Sequence, residues 1–285
     1  MARGAGRRTG TRILRCQHLR KRVDLCRASS AAAHCRAIAF DRPGFGYSTR
    51  PFTRQWTPTA QADLLAKALQ RLGCERAVIV GHSWGTLTAL ALAQQHPELV
   101  RALVLLSGLY YPRPRFDALL AAAGAMPVLG DILRYTLMPL AGLLMLPLVR
   151  RNLFAPAAVP EHLRRQFPWL MTLRPWQLRA SLADGALMLW SAALLAESYR
   201  RMRVPAFIAA GAEDRIVDAA SQSGRLATDL LHSRLDLIEG VGHMIQHSAP
   251  DRVIAAINRA VLAAQADLSR TAACRPTRVA TDSRA

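Results

Sequence analysis

The chain has 285 residues, 51% of them hydrophobic, and carries 38 basic residues against 19 acids. A chain of this length buries roughly three quarters of the surface it exposes when unfolded, so one large core is expected. Five cysteines are too few for a disulfide-built scaffold. The net charge of +19 suits anionic partners, but no nucleic-acid-binding motif accompanies it. Lys21 and Lys67 are the only lysines, so the excess is an arginine bias.

Residues 1–36 hold ten of the basic residues and a single acid, Asp24. Bulky apolar residues are few here: Ile13, Leu14, Leu19, Val23 and Leu25. A basic, loosely ordered segment is therefore expected through residue 35, unable to supply two buried strands. It lacks the apolar stretch of a secretory signal. The composition shifts abruptly at about Cys35, which reads as a misassigned or replaced start. Cys16, Cys26 and Cys35 lie in this segment, Cys74 stands alone in the core and Cys274 in the tail. That scatter favours a reducing cytoplasm.

Ala37-Ile38-Ala39-Phe40 reads as a short apolar strand. It runs into a glycine loop, Asp41-Arg42-Pro43-Gly44-Phe45-Gly46-Tyr47-Ser48. Thr57 to Leu72 reads as an amphipathic helix with a threonine or proline start. Arg76-Ala77-Val78-Ile79-Val80 is a second apolar strand. It leads into Gly81-His82-Ser83-Trp84-Gly85 and then an alanine- and leucine-rich helix, Thr86 to Gln95.

G-x-S-x-G between a strand and a helix is the setting of a nucleophile elbow. The serine must stand on a sharp turn, and side chains two before or two after it would crowd that turn. The helix that starts just beyond it points free N–H groups and its positive dipole end at the site. By themselves, the five residues are equally compatible with a glycine turn around an unreactive serine.

Val100 to Leu106 is a further apolar strand. Between Tyr110 and Arg201 the composition changes: nine of the sixteen prolines, five of the eight methionines and three of the five tryptophans fall there. Leu178, Leu182, Leu189 and Ala193 recur at helical spacing, as on a helix burying one face. Tyr135 to Val149 contains no charge. Two prolines interrupt it and it is shorter than the roughly twenty residues of a transmembrane helix. It reads either as a buried helix or as a lid that meets lipid or an acyl chain, with Arg150 and Arg151 suited to an anionic headgroup or to a helix C-terminus.

Val204 to Ala210 reads as a buried strand, followed by Gly211-Ala212-Glu213-Asp214-Arg215. Ser233 to Glu239 is the next strand, followed by Gly240-Val241-Gly242-His243-Met244. Serine, carboxylate and histidine thus each follow a strand, and in a parallel sheet those ends share the edge where ligands bind. Strands alternating with helices argue for an α/β fold with a mostly parallel sheet covered on both faces. Residues beyond about Leu268 are polar and arginine-rich, as in a loose tail.

From about Arg36 to Ala264 the sequence resembles the α/β-hydrolase superfamily, specifically its esterase- and lipase-like serine hydrolases. The likeness is carried by the Asp41–Ser48 loop, the Ser83 elbow, Gly211–Asp214 and Gly242-His243, in the chain order Ser, Asp, His. It implies a core at 36–110 and 201–267, a helical cap at 111–200, and a tail at 268–285. It also implies Ser83 as nucleophile, His243 as base and then acid, Asp214 as the residue orienting His243, and the Trp84 backbone N–H as an oxyanion donor. Glu213 and His247 are the competing acid and base, and His82 is expected to pack under the elbow.

Serine at the elbow argues against haloalkane dehalogenase and epoxide hydrolase chemistry, where relatives carry aspartate. The expected reaction is transfer of an acyl group to water, with a small hydrophobic ester as substrate and no metal or organic cofactor. Aminopeptidase, acyltransferase, carbon–carbon hydrolase and haloperoxidase reactions on the same triad remain open, as does an impaired domain that only binds a hydrophobic ligand. Phe45, Trp169, Trp176 and Trp190 are candidate substrate contacts, with Phe116, Met126 and Ile132 as further candidates for a hydrophobic wall. Relatives take a second oxyanion N–H from a His-Gly loop upstream, and residues 1–36 contain no His-Gly.

Overall fold

The computed structural model describes residues 12–16, 35–113 and 128–273. Six parallel strands form one sheet: β1 (Arg12–Cys16), β2 (Ala37–Phe40), β3 (Ala77–His82), β4 (Val100–Leu106), β5 (Ala206–Gly211) and β6 (Ser233–Ile238). Their spatial order is β2-β1-β3-β4-β5-β6. The chain steps outward from β1 to β2 and then crosses back to β3 on the other side of β1. The order therefore reverses between β1 and β3, and ligands bind beyond the strand ends at such a reversal.

β1 corrects the expectation of a loose segment at residues 12–16; the rest of residues 1–34 lies outside the described residues. Arg12 to Cys16 pair with Ala77 to Gly81 on one side, and Ile13 to Cys16 pair with Ala37 to Phe40 on the other. A central strand takes its hydrogen bonds from two neighbours, so a short run around Ile13-Leu14 suffices without the long apolar stretch that marks β3 and β4. The opposite boundary also moves: the last helix continues to Ala273, past the expected end of the core at residue 267.

Alternation along the strands sorts side chains onto two faces. Ala77, Ile79, Leu103 and Leu105 join α1 (Pro58–Arg71) and α2 (Gly85–Gln95). Val78, Val80, Ala102, Val104 and Leu106 join the C-terminal helix that starts at Pro250. The expected doubly covered parallel sheet is therefore what forms. α1 begins where its sequence says it should: Thr57 Oγ1 accepts the Ala60 N–H at 3.2 Å and Pro58 takes the first turn. α2 is buried from Gly85 to Ala93, and each fully buried leucine in it, such as Leu87 or Leu90, is worth about 1.5–3 kcal/mol.

The cap lies between β4 and β5. Its described helices are α3 (Leu129–Tyr135), α4 (Leu137–Phe154), α5 (Glu161–Gln166) and α6 (Pro175–Ala196), with a 3-10 turn at Trp169–Leu173. α6 differs from its expected face. Leu178, Leu182, Leu189 and Ala193 are only partly covered. The buried stripe is Gln177, Ala180, Asp184, Ser191 and Leu195. A polar stripe turns inward because Asp184 meets two arginines of the core there. Three further helices follow β5: α7 (Arg225–Asp229), α8 (Ile245–Ser248) and α9 (Pro250–Ala273).

Candidate active site

Ser83 sits immediately after β3 with φ of +52°, the strained backbone that an elbow requires. Its N–H donates to the Leu106 carbonyl at 2.9 Å, and the Ser83 carbonyl accepts the Thr86 hydroxyl at 2.7 Å. Gly81 is needed because a Cβ there would stand 2.9 Å from both the Gly85 carbonyl oxygen and Thr86 Cα. β1 ends level with this turn, since Cys16 pairs with Gly81. The chain beyond Cys16, where an upstream second oxyanion donor was sought, lies outside the described residues.

The three residues picked from the sequence converge. His243 Nδ1 donates to Asp214 Oδ2 at 2.7 Å, and His243 Nε2 lies 3.0 Å from Ser83 Oγ. An ionised carboxylate can only accept, which places the ring hydrogen on Nδ1 and leaves Nε2 to accept the serine hydroxyl. Asp214 is itself held: its Oδ1 accepts the Ile216 and Val217 N–H groups at 2.8 and 3.0 Å. Both side chains are almost wholly buried, at 4% exposure for His243 and 1% for Asp214. The arrangement can take a proton from Ser83 and return it to a leaving group.

The competitors have other work. Glu213 Oε2 accepts the Val241 N–H at 3.1 Å, tying the acid loop to the histidine loop. His247 packs its ring near Phe154 and His162 rather than at Ser83. His82 does lie under the elbow: it is buried, and its Nε2 is 3.1 Å from the His243 carbonyl oxygen. Trp84 is the N-cap of α2, a position whose backbone N–H takes no part in the intrahelical ladder.

A buried charge cluster beside the elbow was not read from the sequence. Arg42 Nη1 donates to Asp184 Oδ2 at 2.5 Å, and Arg50 Nη1 donates to Asp184 Oδ1 at 2.9 Å. The Arg42 guanidinium lies 4.3 Å from the ring centres of both Phe45 and Trp84, and also donates to Gln61. One signal was available: Asp184 shares the helical spacing of Gln177, Ala180 and Ser191, which marks an acid on a buried stripe.

The proposed substrate contacts separate. Phe45 is buried beneath Arg42 as packing. Trp169 donates to the Leu163 carbonyl at 3.1 Å. Trp176 lines a surface cavity of about 480 Å³ with Tyr47, Phe52, Arg134, Arg174 and Arg179. Trp190 is 68% exposed and Ile132 57%. Among the described residues, Trp169, Trp176 and Trp190 make no hydrogen bond or ring contact with Ser83 or His243. Phe116 and Met126 lie outside the described residues. No group of three metal-ligating side chains occurs among the described residues.

Comparison with known proteins places this chain in a family. A family model described as alpha/beta hydrolase fold matches residues 23–250. The chain belongs to the α/β-hydrolase family. This hydrolase is 31% identical over 229 residues to a proposed carbamate hydrolase, RutD, of Caulobacter sp. (strain K31), spanning 78% of this chain and 79% of that one. It is 40% identical over 99 residues, 35% of each chain, to the 2-hydroxymuconate semialdehyde hydrolase of Pseudomonas sp. (strain CF600). Among solved structures, an esterase from Thermogutta terrifontis superposes with a TM-score of 0.63 at 21% identity, covering 90% of this chain and 91% of the other; at that identity the likeness is one of fold.

Proposed function

We propose that this hydrolase cleaves a hydrophobic carboxylic ester through a covalent acyl intermediate on Ser83. The observation that carries the reading is the continuous chain Ser83 Oγ, His243 Nε2, His243 Nδ1, Asp214 Oδ2, with separations of 3.0 and 2.7 Å. His243 takes the hydroxyl proton as Ser83 Oγ bonds to the carbonyl carbon, and the oxygen of that carbonyl gathers negative charge. The Trp84 N–H, at the start of α2, is the donor proposed for that oxyanion. His243 then hands its proton to the departing alcohol. Water, deprotonated by the same nitrogen, attacks the acyl group and restores the serine.

A second reading has a specific support. The 40% identical stretch belongs to a protein named for hydrolysis of a semialdehyde, and the longer match to one named for a carbamate. A carbamate is an acyl compound and needs no change in the proposed steps. Carbon–carbon cleavage on the same three residues would additionally require a proton delivered to carbon.

The test is a p-nitrophenyl ester series of increasing acyl length, run beside a fluorophosphonate probe with intact-mass readout. Turnover and stoichiometric labelling of Ser83, both absent in Ser83→Ala, are expected. A folded protein that labels but turns over only carbamates would replace the ester reading. A folded protein that does not label would overturn the serine mechanism.

A further inference from the structure

Helix α4 is apolar on the side that meets the protein and equally apolar on the side that does not. Its inner side contacts the Trp169–Leu173 turn, where a Cβ on Gly142 would stand 2.5 Å from Leu173 Cδ2. Its outer side carries Leu137, Leu140, Leu144 and Leu148, exposed at 59, 58, 73 and 49%. Phe154, at the far end, is its one buried residue among those described. On a water-facing helix the outer positions of that stripe carry polar side chains. Leucine at four of them in succession, with Leu170 of the neighbouring turn exposed beside them, forms a patch of the kind that marks an interaction surface.

The surrounding charge indicates what covers it. From Ile132 to Pro160 there is no aspartate or glutamate; Arg134 is buried against Asp131, Arg150 lies over the Trp169 ring, and Arg150 and Arg151 are the charges at the end of the leucine stripe. A second copy of this chain would bring two molecules of net charge +19 together. An anionic bilayer removes the leucines from water and neutralises the arginines in one contact. Contact with the Trp169–Leu173 turn holds α4 along the protein surface, so it lies in the interface instead of crossing it.

We propose that α4 is an interfacial helix that seats this protein on an anionic lipid surface, with Leu140, Leu144 and Leu148 among the acyl chains and Arg150 and Arg151 at the headgroups. The inference does not depend on which bond the enzyme cleaves.

Flotation of the full chain with vesicles tests it. Binding is expected to phosphatidylcholine vesicles containing phosphatidylglycerol, weakening with added salt and by about tenfold or more on pure phosphatidylcholine. The Leu144→Glu/Leu148→Glu variant should bind at least about tenfold more weakly at an unchanged thermal midpoint, because both side chains point away from the core. Leu144→Gln/Leu148→Gln, which adds no charge, should also weaken binding and decides the matter where the glutamates perturb the fold. Ser83→Ala should float like the wild type. Equal flotation of wild type and both double variants would overturn the proposal, assigning binding to arginines elsewhere. Absence of flotation, with a light-scattering dimer that the double variants split, would assign α4 to a second copy and overturn it as well.

Discussion

Trp84 Nε1 donates to the backbone carbonyl of Asp184 at 3.1 Å. One hydrogen bond thus ties the residue after Ser83 to the cap helix α6. The same aspartate holds Arg42 and Arg50 through its two carboxylate oxygens, and the Arg42 guanidinium lies between the Trp84 and Phe45 rings. Cap position and elbow geometry are therefore set by one buried cluster.

Removing that aspartate takes its carboxylate away from two buried guanidinium groups, a loss of about 3–5 kcal/mol in comparable buried pairs. Asp184→Ala is expected to lower the urea midpoint accordingly. Trp84→Phe removes the indole donor, worth about 0.5–1.5 kcal/mol, together with part of the buried ring that packs on Arg42, so it should cost more than the hydrogen bond alone. Equal midpoints for Asp184→Ala and wild type would show that the cluster does not hold the cap.

In the proposed mechanism Ser83 and His243 act on one proton, so their losses should not add. Ser83→Ala and His243→Ala are each expected to lower turnover by about 10⁶, and the double variant no further. Asp214→Asn should cost about 10⁴ by disturbing the tautomer of His243. Additive losses in the double variant would mean that the two side chains work in separate steps.

The loop bearing Asp214 and the loop bearing His243 touch at Gly211. A Cβ there would lie 2.1 Å from the Val241 carbonyl oxygen and 2.4 Å from that of Gly242. Both obstacles are backbone, so neither can rotate away. Gly211→Ala should destabilise by about 3 kcal/mol or more and lower turnover in the surviving folded fraction, measured against active-site titration. A variant with wild-type turnover per active site would show that the two loops shift without separating Asp214 from His243.

Burial lifts the Tyr111 hydroxyl well above the ordinary phenol range, and its hydrogen bond to Asp229 Oδ2 at 2.7 Å adds to the effect. That same hydrogen bond lowers the Asp229 carboxyl. Burial also raises Tyr110 and Tyr199. For the tyrosines, the stabilisation is complete below the unfolded value of about 10 and lost as pH rises through the raised folded values. For Asp229 it is present above the unfolded value of about 4 and lost as pH falls through the lowered one. Tyr111→Phe should therefore move the acid unfolding midpoint upward, read by far-UV circular dichroism; an unmoved midpoint would separate Asp229 from acid stability.

Local chemistry in the chain marked three turns, each following an apolar strand and carrying the small residues that a tight turn demands. The resemblance to the family singled out Ser83, Asp214 and His243 on them, over Glu213 and His247, and the structure brings those three side chains together. The α1 start at Thr57-Pro58 was legible for the same reason: a cap is a contact within four residues. Contacts between distant segments were not legible. β1 has too little apolar sequence to announce itself and becomes a strand only because β2 and β3 supply hydrogen bonds on both sides. Asp184 looks like one more cap carboxylate until Arg42 and Arg50, over a hundred residues away, turn it inward. The direction α4 faces was equally undecided by its composition, since an apolar helix can sit in a core or on a surface, and only the packing of its neighbours shows which of its leucines meet the solvent.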